Sequence, residues 1–523
     1  MSSSIVSKNV FEISPLIWGV SLGSASLSSL LNLAVLTDFF SPAANRNDVE
    51  KSKPWLAPAE LPQITIQIPC RNEPLDVVQN GSLKSALALN YPKDKLTIQL
   101  VDNSEQGKYE ELAAYCEEQG VHFIHREGRD GGKARNLNIG LGLWPVNGQR
   151  YEPQSDLYFL VDADITFEPD TLQKLLPEFK ANPRLPFVVC EAESSGGNLF
   201  TDAIAATHLP RLYRRTNTEK YGFANSTGFG LLYNRHAWSE IQGWPEDSIS
   251  EDWAASMTIR ARSEYWTKGH RVNYVRLSDP VPANLERYKI QQARWVQGTL
   301  ENIRWYLWPL LKAKHIPWNE KVDVFFKAWG YPQQAMAQVI IPLITVSSGI
   351  SVIDNYLLLN NASAWLQSLS SVVSLFIIPF VLLAGVPIVF LKIKQGSESA
   401  GHYFRHLLTG SLAGISAGLA ITRGVGKGLF GAKNALFNVT PKGNVPQENA
   451  LLRTFQKNWK EIAFGSGIVL SSIFLLPGYL GLVSFFGLGF IITPFMSLIK
   501  FKKSEKTDFP KQQETQADKP HDM

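Results

Sequence analysis

Two aspartates separated by one small residue, Asp162-Ala163-Asp164, follow a short apolar and aromatic run from Ser155 to Val161. With turn-forming and polar residues on either side, the stretch predicts a buried strand that delivers two carboxylates at its carboxyl end. In extended backbone, residues i and i+2 share a side, so Asp162 and Asp164 face together and Ala163 faces away. Two crowded carboxylates repel unless a cation sits between them. Hard oxygen ligands that leave coordination positions open suit Mg²⁺ or Mn²⁺ carrying substrate phosphates. The competing use of the same residues is a strand-end turn whose aspartates only hydrogen-bond loop amides.

Three further stretches carry chemistry. Ser250-Glu251-Asp252 precedes a helical pattern over Trp253 to Ser263. Asp252 there is a candidate general base, or Ser250 is an N-cap and the two acids merely suit the helix dipole. Asn284 to Trp308 reads as one helix, in which spacings of three and four put Gln291, Arg294 and Trp295 on one face. Arg suits forked hydrogen bonding of a diphosphate, and Trp offers a flat platform for a sugar ring. The alternative is an amphipathic helix at a membrane, which is preferred for Trp305 and Trp308. In Phe437-Asn438-Val439-Thr440-Pro441-Lys442-Gly443, Thr440 and Lys442 could close over a phosphate, or the segment is an ordinary surface loop.

The elements that must position these groups alternate. Ile64 to Ile68, Thr97 to Val101, Val121 to Ile124 and Leu157 to Val161 read as strands. Helices are expected near Pro74 to Leu89, Lys108 to Gln119 and Lys133 to Leu143. Such alternation predicts an open, mostly parallel α/β sheet, which binds ligands beyond the carboxyl ends of its strands. Asn72, Glu73, Asp102, Asp162 and Asp164 all fall at those ends. Phe223 to Trp244, rich in Gly, Asn, Ser and Thr, suits backbone that lines a pocket.

The 523 residues exceed one ordinary core. Lys+Arg 51 against Asp+Glu 47 leaves +4, no basic field for nucleic acid. Cys70, Cys116 and Cys190 show neither metal-ligand spacing nor a disulfide framework, which fits a reducing cytosol. Apolar segments lie at Ile13 to Phe40, Gln333 to Ile353, Val372 to Leu391, Ile462 to Leu480 and Leu482 to Ile499. Each is about long enough to cross a bilayer. Lys392, Lys394 and Arg405, and Lys500, Lys502 and Lys503, follow two of them, which places those ends and the α/β domain in the cytoplasm. His402 to Gly431, apolar but interrupted by glycines, Arg423 and Lys427, reads as a helix in the cytoplasmic interface. The expected organisation is an N-terminal transmembrane anchor over 1–45, a cytoplasmic domain over 46–315, transmembrane and interfacial helices over 316–503 with a loop at 434–446, and a disordered cytoplasmic tail over 504–523.

Asp102, Lys133 within Gly-Gly-Lys-Ala-Arg-Asn-Leu-Asn, Asp162-Ala163-Asp164, Ser250-Glu251-Asp252, Gln291-Gln292-Ala293-Arg294-Trp295 and Phe437 to Lys442 occur in this order. Together they resemble the membrane-embedded family 2 glycosyltransferases with a GT-A catalytic domain, most closely the cellulose synthase branch with its Q-x-x-R-W motif and gating loop. The resemblance implies inverting transfer from a UDP-sugar, UDP-glucose favoured, to the end of a growing β-linked polysaccharide that is moved across a bacterial-type inner membrane. Asp102 would contact the uridine, Asp162 the nucleotide sugar, and Asp164 would hold Mg²⁺ or Mn²⁺. Asp252 would be the catalytic base. Lys133, Glu251 and Gln291 would bind substrate, Arg294 the diphosphate and Trp295 the terminal acceptor sugar, with Thr440 and Lys442 on the gating loop. Partners implied are a UDP-sugar donor, a glycan or lipid acceptor, membrane lipids and, as an open option, an accessory export subunit. Non-processive glycosylation of a lipid and a non-catalytic membrane scaffold are the alternatives. Ser250 replaces the usual Thr, Asp102 stands without a second acid, and Ser226-Thr227-Gly228-Phe229-Gly230 lacks the usual acceptor-site Cys.

Overall fold

The computed structural model describes residues 54–152, 155–205, 222–325, 327, 409–410, 412–431, 450–475 and 480–499. Eight strands form one sheet: β1 (Ile64–Cys70), β2 (Leu96–Asp102), β3 (His122–His125), β4 (Leu157–Leu160), β5 (Thr166–Phe167), β6 (Phe187–Ser195), β7 (Leu231–Asn234) and β8 (His270–Pro280). Between and after them run α1 (Leu75–Val78), α2 (Lys84–Leu87), α3 (Glu110–Glu118), α4 (Gly132–Gly140), α5 (Thr171–Ala181), α6 (Arg235–Glu240), α7 (Glu251–Arg262), α8 (Leu285–Trp305), α9 (Leu307–Lys312), α10 (Gly418–Phe430), α11 (Ala450–Leu475) and α12 (Leu480–Met496).

The sheet order is β3-β2-β1-β4-β7-β6-β8-β5. β1 pairs in parallel with β2, from Ile64 against Leu96 to Cys70 against Asp102, and with β4, from Ile64 against Leu157 to Gln67 against Leu160. β3 extends the parallel half. The chain's winding reverses between β1 and β4, where ligand crevices form in open α/β sheets. Beyond β4 the sheet is mixed: β7 runs antiparallel to β4 and β6, and β5 antiparallel to β8. The expectation of a mostly parallel sheet therefore holds only for its first half. The four residues of β7, Leu-Leu-Tyr-Asn, sit in the Gly-rich stretch that suggested only pocket lining, an apolar run too short to announce a strand.

Alternation along β4 divides the core. Phe159 packs with Ile66, Ile68 and Leu172 on one face, while its neighbour Tyr158 packs with Tyr233, Trp238 and Trp244 on the other. Beneath α4 the sheet carries a polar link. Gln67 Nε2 donates to Leu137 O at 3.0 Å, and the Tyr233 hydroxyl donates to Gln67 Oε1 at 2.8 Å. Such buried bonds fix the helix to the strands in one register.

Two helices differ from expectation. The helix after β1 is interrupted by a π turn, Gln79–Leu83, with a non-helical Gly81. The long helix expected over Asn284 to Trp308 ends at Trp305: Tyr306 leaves the helix at φ −115°, its hydroxyl donates to Asp247, and α9 then carries Pro309. Proline supplies no N–H to continue the earlier ladder.

The candidate anchor at Ile13 to Phe40 and the candidate spans at Gln333 to Ile353 and Val372 to Leu391 lie outside the described residues. The remaining two coincide with α11 and α12. Among the described residues no helix is long and apolar enough to cross a membrane. Arg453, Lys457, Lys460 and Glu461 occupy the first half of α11. The 17 residues of α12 reach about 26 Å, short of a hydrocarbon core of about 30 Å.

Candidate active site

β4 stops at Leu160, and Asp162 and Asp164 lie just beyond it in a turn closed by Ile165 N donating to Asp162 O at 3.2 Å. The expected alternation survives: both aspartates are half-buried and Ala163 is buried. The back of the turn rests on the π turn after β1. Ser82 donates to Ala163 O through both its N–H and its hydroxyl, each at 3.1 Å. A Cβ at Gly81 would lie 2.5 Å from the same oxygen. No pattern in the helical stretch revealed this support, because it needs a hydroxyl and an absent side chain at positions that ordinary helix residues also fill.

Lys133 joins three segments. At the start of α4, its Nζ donates to Asp162 Oδ1 at 2.5 Å and to Gly228 O at 2.7 Å, and lies 4.0 Å from Glu251 Oε1. Gly228 has φ +73°, which an L side chain rarely adopts, and its Cα faces Asp252: a Cβ there would be 3.3 Å from Asp252 Oδ2. The Gly228 carbonyl, a backbone group inside the run that suggested an acceptor region, is the contact that residue types could not disclose.

Ser250 occupies the N-cap position of α7 but makes no capping hydrogen bond. Its loop is held by α8 instead. Ser248 Oγ donates to Asn302 Oδ1 at 2.7 Å, and Asn302 Nδ2 donates to Ser250 O at 3.0 Å. Asp252 Oδ1 accepts from Trp253 N at 2.9 Å, while its main-chain oxygen accepts from the hydroxyls of Ser226 and Ser256. Burial pushes the Glu251 carboxyl up to about 7; Lys133 pulls it back, and Asp252 and Asp162 push it further up. Desolvation lowers Arg294, and Asp162, Glu251 and Asp252 raise it, so its guanidinium shares the field of all three acids.

Gln291 and Trp295 are half-buried on α8 with Arg294. α10 packs closely on this helix: a Cβ at Gly424 would come 2.7 Å from Ala293 O, and one at Gly428 2.9 Å from Gln297 O. Arg304 Nη1 donates to Gly428 O and Gly431 O at 3.0 and 3.2 Å, satisfying the end of α10. Thr440 and Lys442 lie outside the described residues.

Asp102 stands apart from this cluster at the end of β2, fully buried. Its Oδ1 accepts from Ser104 Oγ at 2.5 Å and its Oδ2 from Ser104 N at 2.9 Å, with His125 Nδ1 at 2.8 Å from Oδ2. The loops after β1 and β2 are stitched above it, Arg71 Nη1 donating to Asn103 O at 2.7 Å and Glu105 N to Asn72 Oδ1 at 3.0 Å.

Among the described residues no three His, Cys, Asp or Glu side chains gather to hold a metal by themselves. Two carboxylates turned to one side of a half-buried turn, with a cation already against one of them, fit a divalent ion that takes its other ligands from phosphate oxygens rather than a closed protein cage. Asp164, the second of the pair, would be its protein ligand.

Residues 62–298 match the family described as "Glycosyltransferase like family 2". The chain is 27% identical over 274 residues, 50% of this chain and 46% of the relative, to "Probable glucomannan 4-beta-mannosyltransferase 6" of Oryza sativa subsp. japonica. It is 25% identical over 291 residues, 54% of this chain and 52% of the relative, to "Glucomannan 4-beta-mannosyltransferase 9" of Arabidopsis thaliana. The chain thus spans about half the length of the curated relatives it matches. Among solved structures, the mannosyltransferase PcManGT from Pyrobaculum calidifontis, in complex with GDP-Man and Mn²⁺, aligns with TM-score 0.45 and 17% identity over 72% of this chain and all of that one. The domain over residues 62–298 belongs to the family 2 glycosyltransferases.

Proposed function

We propose that the chain transfers a hexosyl group, with inversion, from a nucleoside-diphosphate sugar to the growing end of a β-linked glycan at the cytoplasmic face of a membrane. The observation that carries this reading is Lys133, whose ammonium ties the Asp162 carboxylate to the Gly228 carbonyl beside Asp252. It brings a donor-side acid and a base-side acid to one place. Asp252 takes the proton from the acceptor hydroxyl as that oxygen attacks the anomeric carbon. Lys133 and Arg294 offset the charge that grows on the departing diphosphate, where fixed cations in a partly dry site act most strongly. A divalent ion, Mg²⁺ or Mn²⁺ on Asp164, would supply further positive charge to the same oxygens. Glu251, buried beside both acids, fixes Lys133.

The names of the rice and Arabidopsis relatives favour a mannosyl donor over the UDP-glucose favoured by sequence alone. What supports a membrane setting is two exposed tryptophans beside cations, Trp308 with Lys312 Nζ at 4.9 Å from its ring and Trp459 with Lys460 Nζ at 5.7 Å, together with Phe430, 86% exposed. Such pairs suit the headgroup layer. The test is purified full-length protein given radiolabelled GDP-mannose or UDP-glucose, Mn²⁺ or Mg²⁺, and β-linked oligosaccharide primers. Long β-linked product with one donor is expected. Single additions to a lipid extract would replace the growing glycan with a lipid acceptor, and no transfer from either donor would overturn the reading.

A further inference from the structure

The four residues that lead into α7 are each fastened to the last turns of α8 or to its C-cap. The hydroxyl of Tyr306, the C-cap, donates to Asp247. Ile249 N donates to Glu301 Oε2 at 3.5 Å. Ser248 and Ser250 form a closed ring with Asn302: Ser250 N donates to Ser248 Oγ at 3.1 Å, Ser248 Oγ donates to Asn302 Oδ1 at 2.7 Å, and Asn302 Nδ2 donates back to Ser250 O at 3.0 Å. Ser250 O also accepts the first hydrogen bond of α7, from Ala254 N at 3.2 Å. Asn302 therefore grips the turn of α7 that carries Glu251 and Asp252. It is fully buried, and Ser248 is buried with it. The Ser250 side chain makes no cap and sits against Gly298, where a Cβ would lie 2.1 Å from its Oγ.

Spacings of four, three and four put Gln291, Trp295, Gly298 and Asn302 along one face of α8. The face that begins with residues proposed to bind substrate thus runs on, about 10 Å further along the axis, into the seat of the loop before Asp252. Resting on the reading of Asp252 as the base, we infer that Asn302 is a positioning residue for proton removal: through Ser248 and Ser250 it holds the start of α7 at a fixed place relative to Trp295. Base and acceptor are then both referred to one rigid helix. Lys133 grips the same region differently, through Gly228 O and the Asp162 and Glu251 carboxylates, and so leaves the backbone before Glu251 to α8. A base must lie within hydrogen-bond reach of the proton it takes, and a displacement of about 1 Å in such a group can cost about 10²-fold in rate.

The experiment measures turnover of the detergent-purified full chain with oligosaccharide primer, Mn²⁺ and whichever of GDP-mannose and UDP-glucose supports product. Calorimetric titration with the matching nucleoside diphosphate runs beside it. Asn302→Leu keeps a branched side chain and removes both of its hydrogen bonds, and Ser248→Ala removes the hydroxyl from the ring. Asn302→Leu should lower kcat about tenfold, and Ser248→Ala should lower it less, with the nucleotide Kd unchanged in both. In an Asp252→Asn background, which has no base left to misplace, neither substitution should lower turnover further. A merely structural role would lower it in both backgrounds. An unchanged kcat, an equal loss in Asp252→Asn, or a nucleotide Kd that weakens in step overturns the inference while the base stands. If Asn302→Leu does not fold, Ser248→Ala decides alone by the same readings. Full turnover in Asp252→Asn, or none in wild type, removes the proposed base and the inference with it.

Discussion

The two halves of the sheet hold their functional groups in different ways. In the parallel half, β1, β2, β3 and β4 carry Asp102, His125 and the D-x-D turn at or just past successive strand ends, and the strand register does the positioning. Across β7, β6 and β8 no acid of the site sits on a strand end. Gly228, Glu251 and Asp252 sit on loops and a helix start that are tied down from α8 by Asn302 and from α4 by Lys133. A site built on strand register keeps its place when one side-chain tie is cut; one built on ties does not. The difference teaches that the D-x-D turn and Asp252, though adjacent, rest on different supports that meet at Lys133.

The largest effect should separate the halves outright. Asp252→Asn is expected to lower turnover about 10³-fold with nucleotide affinity unchanged, whereas Asp164→Asn should weaken metal-dependent nucleotide binding. Turnover assays beside nucleotide titrations with and without Mn²⁺ measure both, and equal loss of binding in the two variants would erase the distinction. Next comes Glu251. Its carboxyl holds its proton more tightly in the folded chain than in the unfolded one, so ionising it costs stability as pH rises from 4.5 to about 7. Glu251→Gln should match wild type near pH 4.5 and gain up to about 3 kcal/mol by pH 8. Denaturation midpoints at the two pH values check this, and a gap that does not change with pH would remove Glu251 as the source. The smallest effect probes the ties alone. Gly428→Ala forces a Cβ against Gln297 O and Leu300 on α8, costing about 1–2 kcal/mol. It should raise the KM of acceptor and donor alike several-fold, because α8 carries both Trp295 and Arg294; an unchanged donor KM would show that Arg294 does not hold the diphosphate.

The same contrast governs what could be read from the sequence. β1 to β4 were legible within about two residues because their local patterns are strand-like: Ile64, Ile66 and Ile68 alternate with Thr65 and Gln67 in β1, and β4 is a continuous apolar run. The D-x-D pair and the acids at Glu251 and Asp252 were legible by residue type. The mixed half was not: β7 is four residues long, and β8 alternates Arg271, Asn273 and Arg276 with its apolar positions. Pairing partners far apart in the chain decide such strands, not local pattern. Nor could spacing show that Asp102 would be enclosed by Ser104 and His125, which depends on the pairing of β2 with β3, or that a main-chain oxygen at Gly228 would receive Lys133, because backbone contacts carry no residue signature.

The close approach at Gly81 has a consequence for variation in this protein. Nothing that reacts comes near that position, yet a single methyl group there would have to displace the peptide between Asp162 and Asp164. The tolerance of the chain to substitution is thus set at the rear of its acidic turn as firmly as at the front, and a silent-looking change in an unremarkable helix would be felt first as a misplaced pair of charges.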